Sequence, residues 1–144
     1  MKRPIVTVIA IIAASIGGGI GKDLAKYYLD RNNDITSEQF LSKLASEMNK
    51  KTPIVVDKET ELISTVGLQG VFVYNYRLVN MEATRLDSGR LLSSIRDQIQ
   101  AVACTTPQTR DTFLKKGVIL RYSYYDKKRA HIGSIDVRPT DCGF

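Results

Sequence analysis

The chain has 144 residues, with 21 Lys and Arg against 15 Asp and Glu, a formal net charge of +6. That length allows one small domain and leaves no room for a large multidomain enzyme. A single histidine excludes multi-histidine metal sites, and the modest basic excess suits an anionic surface, an acidic partner or simply a solvated face.

Residues 4–21, PIVTVIAIIAASIGGGIG, carry no charge and follow Lys2 and Arg3. As a helix, about seventeen such residues span about 25 Å at about 1.5 Å per residue. A hydrocarbon core is about 30 Å thick, so the stretch is at the short end of a membrane span. It is also somewhat longer than a signal-peptide apolar region of about 7 to 15 residues. In both cases Lys2 and Arg3 hold the N-terminus in the cytoplasm, and the chain beyond Lys22 is expected outside it.

Ala10, Ala14 and Gly18 are spaced four apart, and so are Ala13, Gly17 and Gly21. This spacing lines a helix stripe with small side chains, where a second helix backbone can approach closely. It favours a retained, self-associating anchor, although Ala and Gly are common in apolar segments. Cleavage is the alternative, because Ala13-x-Ser15 and Ser15-x-Gly17 are small-x-small pairs. No cysteine follows the stretch, so a lipid-modified N-terminus is not expected. Gly17 to Lys22 imitates a phosphate loop, but Ile16 and Asp23 stand where the pattern needs Gly and Ser or Thr. The chain therefore divides into 1–21, a membrane anchor or signal segment; 22–35, a linker; and 36–144, an extracytoplasmic α+β domain.

Tyr27 and Tyr28 in the linker suit a membrane interface or packing on the domain. Thr36 is the expected N-cap of a first helix, with Gln39 three residues later. Phe40, Leu41, Leu44, Ala45 and Met48 form its apolar stripe, and the helix is expected to end near Asn49. Residues 59–66 and 71–79 then read as a hairpin around a Gly67-Leu68-Gln69-Gly70 turn. Phe72, Tyr74, Tyr76 and Leu78 share one face of the second strand.

Asp87 is the expected cap of a second helix, with Leu91, Leu92, Ile95, Ile99 and Val102 as its apolar stripe. It should end near Cys104. Thr106-Pro107 restarts a shorter helix, which stops at Gly117. Residues 118–125 and 130–137 form a second hairpin around Asp126-Lys127-Lys128-Arg129. Ile132 and Ile135 differ in parity, so Gly133 marks a candidate bulge. The expected fold is α+β: an N-terminal membrane helix, then a small antiparallel sheet of two hairpins packed against helices.

Cys104 and Cys142 are the only cysteines. An even count outside the cytoplasm suggests a disulfide, with two free core thiols as the alternative. No CxxC spacing exists, so redox catalysis is not expected.

Several motifs together resemble a group of small bacterial envelope proteins. They are Val56-Asp57-x-x-Thr60-x-Leu62, Tyr74-x-Tyr76-x-Leu78-Val79-Asn80, Cys104-x-x-Pro107-x-x-Arg110, Gly117 with Tyr122-x-Tyr124-x-Asp126, and Asp141-Cys142. The resemblance spans roughly the last 90 residues of the chain. It implies no activity, because the group has none assigned, but it supports a Cys104–Cys142 pairing.

Catalytic constellations are missing from the sequence pattern. His131 has no Gly-x-Ser-x-Gly partner turn and reads as a strand-surface residue. Oxidised cysteines would provide no Cys-His nucleophile. Asp126, Asp136 and Asp141 are read as solvated carboxylates rather than a glycosidase pair. Tyr74, Tyr76, Tyr122, Tyr124 and Tyr125 alternate beside Arg and Lys, which could stack bases. Core packing explains the same alternation, and nucleic acid is not an expected partner.

The sequence thus points to a non-enzymatic periplasmic accessory or protein-interaction domain on a single-pass inner-membrane anchor, without cofactor or metal. Its expected partners are the inner membrane, a second copy or an envelope protein. Alternatives are a secreted ligand-binding protein released by cleavage, and an enzyme of another type. The expected interaction surface is Tyr125, Lys127, Lys128 and Arg129, with residues 118–125 as a sheet edge open to a partner strand.

Overall fold

The computed structural model describes residue 34 and residues 36–144. The anchor or signal segment, its small-residue stripe and nearly all of the linker lie outside the described residues. No helix among the described residues is long and apolar enough to cross a membrane.

The first helix, α1 (Glu38–Asn49), buries the whole expected stripe of Phe40, Leu41, Leu44, Ala45 and Met48. Its cap is Ser37 rather than Thr36: the Ser37 hydroxyl accepts the Phe40 N–H at 3.2 Å. Thr36 is already committed, because both its N–H and its hydroxyl donate to the Asp34 carboxylate. The next hydroxyl along the chain therefore satisfies the helix N-terminus.

Five strands follow: β1 (Ile54–Val55), β2 (Thr60–Leu68), β3 (Val71–Leu78), β4 (Ile119–Tyr125) and β5 (His131–Val137). Between β3 and β4 the chain forms α2 (Ser88–Thr105) and α3 (Pro107–Thr112). Asp87 caps α2, accepting the Arg90 N–H at 3.0 Å. Gly117, at a φ of 90°, ends the short 3-10 turn after α3, a conformation that glycine adopts without a Cβ penalty.

Both expected hairpins are present, but the sheet is mixed rather than antiparallel. Its order is β1-β2-β3-β4-β5, and β3 pairs with β4 in parallel. A parallel pair needs a crossover of a dozen or more residues, which α2 and α3 provide. The same order corrects a second expectation. β4 lies between β3 and β5, so residues 118–125 are not an edge.

The core lies between one face of the sheet and the helices. Phe72, Tyr74 and Tyr76 on β3 pair with Leu120, Tyr122 and Tyr124 on β4, and all six are buried. Tyr74 stacks on Tyr122 with ring centroids 5.5 Å apart, and Tyr76 on Tyr124 at 5.7 Å. Burying each such ring contributes roughly 1.5–3 kcal/mol.

Two glycines set how closely the helices approach. Gly67 lies inside β2, not in the turn, which is confined to Gln69 and Gly70. A Cβ on Gly67 would run into the α1 backbone at Leu41 and Ser42. A Cβ on Gly133 would meet the Leu92 side chain of α2. Gly67 pairs with Phe72 and Gly133 with Tyr124, so both helices cover the tyrosine-bearing face. Beside Gly133 the register slips, with Tyr124 opposite Gly133 and Tyr125 opposite His131. This bulge allows Ile132 and Ile135 both to be buried despite their parity.

Candidate interaction site

Two surfaces carry the residues singled out in the sequence, and the fold forms a third. The first surrounds the disulfide. Cys104 in the last turn of α2 is bonded to Cys142, 38 residues on, with the Cα atoms 5.3 Å apart. Gln100 donates to the Asp141 carbonyl at 3.2 Å beside it. An open groove of about 400 Å³ runs here, lined by Asp97, Gln100, Ala101, Thr105, Asp141 and the two half-cystines. The oxidised pair removes the thiolate that Cys-His chemistry would need.

The second surface is the β4–β5 turn. Asp126 is not a solvated carboxylate: it is 3% exposed and organises the turn. One carboxylate oxygen accepts the N–H groups of Lys128 and Ala130, each at 2.8 Å. The other accepts the Ala83 N–H at 2.9 Å, tying the turn to the chain after β3. The Ala83 bond, together with the other two amides and the Lys128 charge, outweighs burial and holds the carboxyl below its ordinary range. Asp136 pairs instead with Arg121 at 2.8 Å, and Asp141 accepts the Arg138 N–H. The structure thus separates the three aspartates and gives each a structural partner.

Tyr125 ends β4, and Lys127, Lys128 and Arg129 lie in the turn that follows it. Lys127 is held by Glu82 at 2.9 Å, and its hydrogen bond and charge keep the Glu82 carboxyl below its usual range. The Lys128 and Arg129 side chains are exposed, and Arg129 adopts a φ of 66°. The Tyr125 ring lies 5.1 Å from the ring of His131, which is exposed on β5 as expected. Tyr74, Tyr76, Tyr122 and Tyr124 are all buried in the core, where desolvation raises their hydroxyl pKa values. They cannot offer a face to a nucleic-acid base.

The third surface was not singled out from the sequence. It is the sheet face turned away from α1 and α2. Its middle is polar: Arg77 pairs with Glu61 at 2.7 Å, Arg121 with Asp136, Asn75 with Ser64 at 3.0 Å, and Ser123 with Ser134 at 2.7 Å. Its end beside the β2–β3 turn is apolar. Leu68, Val71 and Ile119 lie side by side across three strands, as do Val66, Val73 and Arg121. Val66 and Leu68 are 40% and 39% exposed. The signal was available in Val66, Leu68, Val71 and Val73, which alternate with the core-facing residues on both arms of the hairpin. It was hidden because residues 67–70 read as a turn.

Among the described residues, no three His, Cys, Asp or Glu side chains are grouped to hold a metal. The molecule is therefore an α+β domain with one disulfide and helices on one face of a mixed five-stranded sheet. No protein-family model matches the chain, and no curated protein matches it. Three solved structures share the fold. One is a protein of Pseudomonas aeruginosa inferred to be secreted, with a TM-score of 0.62 and 21% identity over 76% of this chain and 95% of that one. The second is EpsS, the type 2 secretion system pilotin of Vibrio vulnificus, with a TM-score of 0.56 and 15% identity over 73% of this chain and 90% of that one. The third is AspS, the type II secretion system pilotin of Vibrio cholerae, with a TM-score of 0.54 and 11% identity over 73% and 91%.

Proposed function

We propose that residues 36–144 act as a non-enzymatic accessory or protein-interaction domain in the bacterial periplasm, of the kind the two pilotins represent. The observation that carries this reading is the fold shared with the two pilotins, in a chain that has its own Cys104–Cys142 disulfide and an export-type apolar stretch at residues 4–21. Asp126, Asp136, Asp141 and both cysteines are engaged in holding the fold, which supports a binding role. In the finer form of the proposal, residues 1–21 are retained as a single-pass inner-membrane anchor. The stripe of Ala10, Ala13, Ala14, Gly17, Gly18 and Gly21 then brings two copies together.

The test is the intact mass of the native protein from fractionated cells, with thiol labelling before and after reduction. A full-length chain in the membrane fraction, without free thiols until reduced, is the expected result. Cross-linking in those membranes would then capture an envelope protein or a second copy. A free-thiol chain in the cytoplasm would sink the reading. The second reading is a soluble periplasmic binding protein released by cleavage. It is favoured by the Pseudomonas neighbour and would appear as a shorter chain in the soluble fraction.

A further inference from the structure

The apolar end of the open sheet face has a candidate occupant in the chain itself. We propose that residues 22–31, KDLAKYYLDR, dock on this patch, with Leu24 and Tyr28 laid against Val66, Leu68 and Ile119. The path of the chain supports this occupant. Thr36 accepts the Gly70 N–H at 2.8 Å, and its side chain lies beside Gly117. Gly70 in turn accepts the Ile119 N–H at 2.9 Å. The described domain therefore begins at the end of the sheet where the patch lies. Residues 32–35 separate Thr36 from the proposed segment, and four residues reach up to about 13 Å. That is enough to pass from the helix-covered side of the turn to the open side.

The sequence of the segment fits. In a helix, Leu24 and Tyr28 are four apart and share a face, with Tyr27 next to them, while Lys22, Lys26 and Asp30 turn away. Ten residues in this form are about 15 Å long. Three strands at about 4.8 Å spacing give a patch of similar width. Charge does not oppose the contact, because Arg77, Glu61, Arg121 and Asp136 are already paired.

Size favours a tethered occupant over a second molecule. A specific interface between separate chains buries about 1,200–2,000 Å² in total, more than a patch built on Val66, Leu68, Val71 and Ile119 around the buried Val73 provides. A tethered segment needs less, because a short linker holds it at an effective concentration on the order of millimolar.

The test uses the full chain with Leu68 replaced by the photoreactive residue benzoylphenylalanine, irradiated after purification and mapped by peptide mass. An adduct within one chain to residues 22–31 is expected. Leu24→Asp with Tyr28→Asp should lower its yield about tenfold, the equivalent of about 1.4 kcal/mol. Lys26→Asp, on the opposite side of the helix, should leave it unchanged. An adduct at the mass of two chains, an adduct to lipid, or no adduct overturns the proposal. An intrachain adduct indifferent to the double substitution also overturns it, because proximity through the tether alone would then explain the link. Signal cleavage after Gly17 would leave residues 22–31 in place. The outcome is thus separate from whether the anchor is retained.

Discussion

Asn49 completes the backbone of Thr65 as a neighbouring strand would. Its side-chain oxygen accepts the Thr65 N–H at 2.7 Å, and its side-chain nitrogen donates to the Thr65 carbonyl at 2.9 Å. The Thr65 hydroxyl adds a third bond to the same Asn49 oxygen at 3.0 Å. β1 pairs with Glu61 and Leu62 of β2, and the Thr60 carbonyl accepts the Val56 N–H at 2.9 Å, so it is the edge beyond Leu62 that depends on α1. Ser42 continues the cover by donating to the Gly67 carbonyl at 3.1 Å.

Asn49→Ala leaves the Thr65 N–H and carbonyl without partners at a part-buried edge. The expected loss is about 2 kcal/mol, from the cost of unmade hydrogen bonds. A drop in the urea midpoint at unchanged slope would register it. Exposed edge groups also recruit other chains, so the variant should aggregate sooner on heating, measured by light scattering. An unchanged midpoint would mean that the Asn49 bonds carry no net stability.

How much of this was legible in the sequence depends on the range of the interaction. The α1 stripe, the caps at Asp87 and Gly117, and both hairpins follow from local periodicity and local turn chemistry, whereas α2 buries Leu91, Ile95 and Ile99 of its expected stripe together with Ala103 and leaves Leu92 and Val102 half-buried. The Ile132 and Ile135 parity conflict correctly flagged the bulge. Asn49 was not legible, because it sits at the end of a helix and its partner is sixteen residues away on a strand. Gly67 was misassigned for a related reason. A glycine beside Gly70 looks like turn chemistry, whereas the close passage of Leu41 and Ser42 is a tertiary constraint. The parallel β3–β4 pairing was likewise hidden, since hairpin signals say nothing about how two hairpins join. Asp126 looked solvated because its turn is charged, yet its carboxylate is consumed by three backbone amides.

Asp126 should make the fold acid-sensitive. Its carboxyl titrates below its ordinary value in the folded protein. The unfolded value is about 3.9. A depressed folded pKa stabilises the fold fully above the unfolded value, and this contribution is lost as pH falls through the folded value. The denaturation midpoint should therefore fall from pH 5 towards pH 2. Asp126→Asn, which cannot satisfy all three N–H groups, should start lower at pH 7 and lose less on acidification. Parallel acid curves for the two proteins would refute this assignment.

The tyrosine ladder offers a test of core packing. The hydroxyls of Tyr74, Tyr76 and Tyr124 are buried and have no hydrogen-bond partner among the described residues. Removing a buried hydroxyl that lacks a partner relieves a desolvation cost of about 1 kcal/mol while keeping the ring. Tyr76→Phe and Tyr124→Phe should therefore leave the melting temperature unchanged or raise it. Tyr76→Ala should lower stability by about 3–5 kcal/mol, as large-to-small changes at buried aromatic positions do. A marked loss in Tyr76→Phe would reveal a hydrogen bond that this arrangement does not contain.

The disulfide contributes mainly by restricting the unfolded chain. For its 38-residue separation the chain-entropy relation gives about 4 kcal/mol. Cys104→Ala with Cys142→Ala should approach that loss, and reduction of the wild-type protein should match the double variant. Comparing urea midpoints with and without reductant measures both. Hydrogen exchange should rise first in the Pro139–Cys142 turn, which the bond clips to α2. Uniform exchange across the domain would instead mean that the bond supports the whole fold.

Gly67 and Gly133 should respond differently to the same added methyl group. At Gly67 the obstruction is the α1 backbone at Leu41 and Ser42, which moves only if the helix moves. At Gly133 it is the end of the Leu92 side chain, which is half-buried and can change rotamer. Overpacking typically costs about 1–3 kcal/mol. Gly67→Ala should lie at or beyond the upper end of that range, and Gly133→Ala near the lower. Both glycines pair in β-structure on the same face, so strand propensity acts alike on both and the difference isolates the neighbour. The Gly67 variant should also expose the β2 edge by lifting α1 away from Thr65, and so accelerate aggregation as Asn49→Ala does. Equal destabilisation of the two variants would mean that α1 can retreat as readily as a leucine side chain turns.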